Sequence, residues 1–418
     1  MAEWHEVAGG VTAPKGYQAA GIKAGLKPSG APDLALIASD VDAIAAGVFT
    51  TSCVRAACVD FDLEVLRSNT KVRAILCNAG QANASTGEEG WRNAVETAEL
   101  VKKALATDAG VLVASTGVIG RQLRMDLMRP GITKVVEALS ATGGDDAAKA
   151  IVTTDLVTKS IALEGSFNGS PVRIGGISKG SGMIHPNMAT MLSFVTCDAA
   201  VAPTLWQEIV SRAADKSFNQ ITVDGDTSTN DMLLALSNGQ SGTPEIAAGS
   251  ADAEKLEAML TEVCIFLAKS IARDGEGATC LIEVTVTGAA DQKSAQQVAK
   301  TIAGSSLVKS AVFGRDPNWG RIAAAAGRSG IQFDQAQLRI EIGEFLLMDR
   351  GQPLEFDRAA VSAYLKAKAA ASLDPNGGQS VDHPVSIEVS IGNDNGSGTS
   401  WGCDLSYDYV KINAEYTT

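Results

Sequence analysis

No two of the seven cysteines (Cys53, Cys58, Cys77, Cys197, Cys264, Cys280 and Cys403) are spaced as C-x-x-C, and their number is odd. That speaks against a disulfide framework and a thiolate zinc site alike, and leaves most of them as buried apolar fillers in a reducing cytoplasm. Basic residues are also in short supply. Lys and Arg number 35 against 48 Asp and Glu, a net charge of −13 with a pI near 4.8. Such a surface repels nucleic acid and anionic membranes, although it does not exclude a local basic pocket. No apolar run approaches the ~20 residues of a membrane-spanning helix. The first residues, MAEWHEVAGGVTAPKG, lack the basic and then apolar regions of a secretory signal, so a cytoplasmic protein is expected. Only three histidines occur, His5, His185 and His383. None is tied by spacing to a nucleophile elbow, which gives a serine triad little support. His185, next to Pro186, reads equally as a catalytic group or as a loop histidine bonded to backbone. No G-x-G-x-x-G follows a strand, so a dinucleotide fold is not indicated, and no cofactor or metal is expected.

What is present is a globular chain. At 45% hydrophobic and 20% charged over 418 residues, it suffices for one large or two medium domains. Residues 11–60 read as short strands and turns. Val72–Cys77 is β-like and is followed by the polar loop NAGQANASTGEEG. Ser85 and Thr86, three residues before Glu88 and Glu89, have the spacing of a capping box for the helix that continues to Leu105. Gly110–Ser115 is an apolar strand ending in Thr116-Gly117. That pair is either a set of donors aimed into a cleft or a common turn. A short helix is expected over Ile132–Leu139, a loop over 141–146, and strands over 151–155 and 160–163. Further helices are expected at Leu205–Phe218, Ala251–Ala272, Gln292–Ile302 and Asp357–Lys368, and strands at Gln220–Val223 and Thr279–Thr287. NDNGSGTSWG reads as a turn between the last strands.

The loop DGDTSTND (224–231) has oxygen donors at alternate positions, but Thr229 and Ala235 stand where a calcium loop needs glycine and glutamate. It reads instead as a hydrogen-bonded loop beside the active site. Around Lys179 the Walker pattern fails, because Ser178 precedes the lysine and Gly180 follows it.

The most informative stretch is Arg173–Asp198, RIGGISKGSGMIHPNMATMLSFVTCD. Its glycines read as a loop that leads into a buried strand. In that strand Thr190, Leu192, Phe194 and Thr196 share one face, and Met191, Ser193, Val195 and Cys197 share the other. Thr190 is either an ordinary strand threonine or a nucleophile, activated by its own α-amine once the bond after Ala189 is cut. Lys179, eleven residues upstream, would fix a carboxylate or stabilise developing negative charge.

SKGSGMIHPNMATML resembles the self-cleavage region of the glutamate N-acetyltransferase/ornithine acetyltransferase family of arginine biosynthesis. ASTGVIG, TTD, DGDTSTND, DGEGATC, FGRDPNWGRI and YVKINAEYTT follow that family's motifs in order along nearly the whole chain. A local departure is LVTKS after TTD, where a proline–lysine pair is usual. The resemblance implies an α/β fold, a sandwich of α/β/β/α layers like that of N-terminal-nucleophile enzymes, with a smaller C-terminal α/β region from roughly residue 290. It implies self-cleavage between Ala189 and Thr190 into an α-chain (1–189) and a β-chain (190–418), two of each forming a heterotetramer. Thr190 then matches the nucleophile, and Thr116 and Gly117 the oxyanion hole. Thr153, Lys179, Thr190, Glu276, Asn413 and Thr418 match substrate contacts, with Thr153 and Thr154 hard to separate. The implied reaction moves acetyl from N2-acetyl-L-ornithine to L-glutamate, and leaves open acetyl-CoA as a further donor. An N-terminal-nucleophile aminopeptidase and an uncut, non-enzymatic protein are the rival readings.

Overall fold

The computed structural model describes residues 3–68, 71–185, 191–372 and 379–415. In chain order its first part contains β1 (Trp4–Glu6), β2 (Tyr17–Ile22), β3 (Leu34–Phe49), α1 (Ala57–Arg67), β4 (Val72–Gln81), α2 (Gly87–Ala104), β5 (Gly110–Val118), α3 (Met125–Glu137), α4 (Gly144–Ile151), β6 (Lys159–Phe167), β7 (Ser170–Lys179), β8 (Leu192–Cys197), α5 (Pro203–Lys216), β9 (Met232–Ser237) and α6 (Ala251–Arg273).

The 16-residue β3 organises this part, in place of the short strands expected over 11–60. Leu34–Ala38 pair with β2 and β4, whereas Ile44–Phe49 pair with β9, and the register shifts between Ala38 and Ala43. The shift falls on Ser39-Asp40-Val41-Asp42, a polar interruption in an otherwise apolar run. There Arg73 donates to the Asp40 carbonyl at 2.7 Å and meets the Asp42 carboxylate at 2.9 Å, which satisfies groups that the ladder leaves open. One half-sheet runs β1-β6-β7-β8-β9-β3, and the other comprises β2, β3, β4 and β5. Both contribute to one core: Leu36, Ile75 and Leu112 share it with Ile177, Phe194 and Leu234. The opposite face of β8 and β9, with Val195 and Leu233, packs against Trp206 and Ile209 of α5 and Leu260 and Leu267 of α6. Helices α1 and α2 lie against β5. The layers are therefore helices, sheet, sheet, helices, the α/β sandwich expected above.

The second part contains β10 (Leu281–Gly288), α7 (Gln292–Ala303), α8 (Ser306–Phe313), α9 (Trp319–Gly327), β11 (Arg339–Ile342), β12 (Phe345–Asp349), β13 (Gln352–Pro353), α10 (Arg358–Ala371), β14 (Val385–Ser390), β15 (Asp394–Cys403) and α11 (Tyr407–Glu415). Its sheet runs β13-β12-β11-β14-β10-β15 around a third core that includes Val284, Val298, Ile340 and Val361. Strand β15 joins the two parts, because its Trp401 and Cys403 enter the core beneath α6 and the Trp401 carbonyl accepts from Thr222 N at 2.9 Å.

Several local expectations are corrected. Arg173–Lys179 is not a loop but most of β7, paired on both sides. Residues 151–155 are the end of α4 and a loop rather than a strand, and α4 begins inside the expected loop at Gly144. The helix after β4 exists, but Thr86 does not cap it: its hydroxyl bonds to Asn83 Oδ1 at 2.9 Å. Residues 220–223 are not a strand: Gln220 ends a 3-10 turn and Ile221 makes an isolated bridge. NDNGSGTSWG is strand β15, and β9 and α11 add to the elements expected.

Candidate active site

A cavity of about 240 Å³ opens where β4, β5 and β7 end and β8 begins, next to the loops 228–231 and 274–279. Drug-sized pockets run to about 300–1,000 Å³, so this one suits a smaller molecule such as an amino acid. Thr116, Gly117, Thr153, Thr154, Lys179, Glu276 and Asn413 all line it.

Thr116 and Gly117 belong to the last residues of β5, which pairs in parallel register with β4 (Ala79 with Thr116, Gly80 with Gly117). Gly117 has φ +127°, and a Cβ there would run into the Gly80 backbone, so this corner needs glycine. Lys179 ends β7 and is almost wholly buried. Its ammonium donates to Thr116 Oγ1 at 3.4 Å, which leaves the threonine's own proton free to be donated into the cavity.

Glu276 lines the same cavity as Lys179, from the loop after α6. Its N–H donates to the Ser181 carbonyl at 3.1 Å, and its carboxylate accepts from Asn413 Nδ2 of α11 at 2.9 Å. A Cβ at Gly182 would come within 2.5 Å of the Glu276 carboxylate, so a larger residue there would push that side chain from its place. The cavity thus presents a cation and a carboxylate together, a pattern that complements a zwitterionic or dipolar ligand.

The DGDTSTND loop is hydrogen-bonded throughout, and Ser228–Asp231 form one wall. Asn230 Nδ2 donates to the Ala82 and Ser115 carbonyls at 2.5 and 2.8 Å, tying that wall to the ends of β4 and β5. Asp224 accepts from Met183 N (2.6 Å) and Ile184 N (2.8 Å), and burial holds its carboxyl above the usual range. Met183 sits in the left-handed region at φ 57°, a conformation rare outside glycine. His185 does not line the cavity; its Nδ1 lies 2.9 Å from Thr222 Oγ1.

Asp155 of TTD is a buried member that sequence reasoning did not single out. Its oxygens accept from Thr153 N at 3.0 Å and Gly180 N at 2.7 Å, and it pairs with Lys159 at 2.7 Å. Burial would raise its pKa, but Lys159 and Lys179 outweigh that and hold it below the usual carboxylate range. The one sequence signal was a lysine four residues after the aspartate. Thr153 and Thr154 both face the cavity, so geometry does not choose between them. Ala189, Thr190 and Thr418 lie outside the described residues. The nearest described neighbours of the first two, Met191 and Leu192, border the cavity. Among the described residues no group of three His, Cys, Asp or Glu side chains is placed to hold a metal ion, and no helix is long and apolar enough to cross a membrane.

A layered α/β body with a small polar cleft at its strand ends places the chain among α/β enzymes. The ArgJ family model matches residues 18–418. "Arginine biosynthesis bifunctional protein ArgJ 1" of Nostoc is 67% identical over 419 residues, covering 100% of both chains. The ArgJ protein of Synechococcus is 64% identical over 419 residues, again covering 100% of both. The crystal structure of ornithine acetyltransferase complexed with ornithine from Mycobacterium tuberculosis is 42% identical, covering 45% of this chain and 100% of that one, with a TM-score of 0.42. The chain belongs to the ArgJ family.

Proposed function

We propose that this enzyme of arginine biosynthesis is a self-cleaving acetyltransferase that moves the acetyl group of N2-acetyl-L-ornithine to L-glutamate, giving L-ornithine and N-acetyl-L-glutamate. The bifunctional name of its relatives supports acetyl-CoA as a second donor to glutamate. The observation that carries the assignment of residues is the meeting of Thr116, Gly117, Lys179, Glu276 and Asn413 around one amino-acid-sized cavity at the start of β8.

In the maturation step the Thr190 hydroxyl attacks the Ala189 carbonyl. The peptide becomes an ester, and water cleaves it to give chains 1–189 and 190–418. The freed α-amine, with an ordinary pKa near ~8, serves as the base for the same hydroxyl. In transfer the hydroxyl oxygen attacks the acetyl carbonyl and its proton passes to the amine. Thr116 and Gly117 hold the oxyanion, and removing one such donor costs about 10²–10³-fold in turnover. Collapse breaks the carbon–nitrogen bond, the amine returns its proton to the departing ornithine nitrogen, and acetyl-threonine remains. The glutamate amine then attacks that ester in the second half of a ping-pong cycle.

Lys179 suits the α-carboxylate common to both substrates, and Glu276 the side-chain ammonium of ornithine. Thr153 and Thr418 complete the substrate contacts. No cofactor enters, the two chains remain together as a heterotetramer of two of each, and the acidic surface suits the cytoplasm.

Intact-mass analysis and transfer assays with acetylornithine and with acetyl-CoA test the reading together. Wild-type protein should give two chains that meet at residue 190, and Thr190→Ala one uncut, inactive chain. Two chains from Thr190→Ala, or release of amino acids from peptides without acetyl transfer, would overturn the assignment, the latter in favour of an aminopeptidase.

A further inference from the structure

Lys159, at the start of β6, has a side chain with no solvent exposure, and its ammonium lies 2.7 Å from Asp155 and 2.6 Å from Asp274, whose side chains are equally buried. Two carboxylates and one ammonium leave an excess negative charge within the triad itself, with the buried Arg273 guanidinium close enough to feel Asp274. Desolvating each ion costs several kcal/mol, and apolar side chains brace a fold at no such cost. The arms of the cluster lead to the cavity. Asp155 holds Thr153 N and Gly180 N, the latter directly after Lys179. The Asp274 carboxylate holds Leu156 N at 3.1 Å and Gln379 Nε2 at 2.9 Å. The Asp274 carbonyl accepts from Ser181 Oγ at 2.6 Å, and the Ser181 carbonyl accepts from Glu276 N. Lys159 therefore links the strand end that carries Lys179 to the loop that carries Glu276. The excess charge is matched across the wall by Lys179, one of the cations that stabilise Asp155 as a carboxylate.

We propose that the Asp155–Lys159–Asp274 triad is a specificity-determining positioning element: it fixes the separation of Lys179 from Glu276, and with it the length of chain accepted between a carboxylate and a terminal ammonium. This rests on the reading that those two side chains hold the substrate. Neither carboxylate of the triad touches the ligand; both act through the backbone next to residues that do.

The test uses full-length protein with N2-acetylornithine and its homologues one methylene shorter and one longer. A methylene is worth about 10–200-fold in kcat/KM in a fitted pocket, and the wild type should discriminate within that range. Asp155→Asn keeps the shape and removes the charge. It should raise KM for N2-acetylornithine about tenfold, change kcat less than about threefold, and reduce the length preference to less than about threefold. A folded variant that keeps the wild-type preference overturns the proposal, as does an even loss of kcat across the three substrates with KM unchanged. If Asp155→Asn does not fold, Asp274→Asn is read by the same ratios, and failure of both to fold makes the triad structural and likewise overturns it. A wild type without transfer from N2-acetylornithine overturns the substrate reading. A wild type that transfers, beside variants with unaltered length preference, overturns only the role of the triad.

Discussion

His185 sits against Thr222 rather than in the cavity, and burial, followed by the Lys300 charge, pushes its imidazole down to about 4. Burial also lowers Lys300, to about 8. The unfolded histidine titrates near ~6.5. Between pH ~6.5 and ~4 the unfolded chain therefore binds a proton at this site that the folded chain refuses, so stability falls as the pH drops through that window. The slope is at most about 1.4 kcal/mol per pH unit and smaller for a side chain that water partly reaches. His185→Asn should flatten the fall of the thermal midpoint between pH 7 and 4; equal slopes in both proteins would refute it. The sequence left His185 open between catalysis and a loop contact because its partner lies 37 residues away. Motif reading fared differently with Thr116, Lys179 and Glu276. The resemblance singled them out, and they line one cavity although they come from three distant parts of the chain. Asp155 and Lys159 escaped it because their one signal, a lysine four residues after an aspartate, does not show that the pair is buried.

Strand β7 shows where reading elements from composition fails. Glycine is depleted in strands, so RIGGISKG invited a loop. In the structure Gly175 faces Thr196 of β8, and a Cβ on it would collide with the Gly10 carbonyl. The glycine is there for a close approach of the N-terminal segment, a contact more than a hundred residues away in sequence. NDNGSGTSWG was misread for the same reason, since Gly396 and Gly398 of β15 lie under the backbone of Asp291 and Gln296 at the start of α7. By contrast, the alternation over 191–197 was legible: Leu192 and Phe194 face one core, and Met191, Val195 and Cys197 the other. Gly175→Ala should cost about 1–3 kcal/mol or more by urea unfolding, because a backbone carbonyl cannot swing aside as a side chain does. Gly327→Ala in α9, where an added Cβ meets nothing within 4 Å, is the control and should be neutral or stabilising by up to about 1 kcal/mol. Equal effects at the two positions would sink the close-approach explanation.

Over the described residues, three cores carry the stability and α11 stands outside all of them. No residue of α11 is buried, and Tyr407 and Val410 are largely exposed. Its ties among the described residues include an edge-on contact of Tyr407 with Phe313, the Tyr409 contact with Asp224 and the Asn413 contact with Glu276. Two of these reach the cavity side of the molecule rather than a core. YVKINAEYTT was recognisable as a family motif, but its helical form and its place at the cavity were not, because the Asn413–Glu276 contact spans 137 residues. A helix that buries nothing adds little to folding, whereas a helix that holds a charged pocket residue adds to binding. Ending the chain after Ser406 should therefore move the thermal midpoint by no more than about 3 °C and raise KM for N2-acetylornithine about tenfold or more. Self-cleavage should proceed, because residues 183–185 keep their hold on Thr222, Val223, Asp224 and Thr227. Calorimetry, steady-state kinetics and intact mass on one preparation separate the three effects. A fall of the midpoint by more than about 10 °C would make α11 part of the folded core, and an unchanged KM would remove it from the substrate pocket.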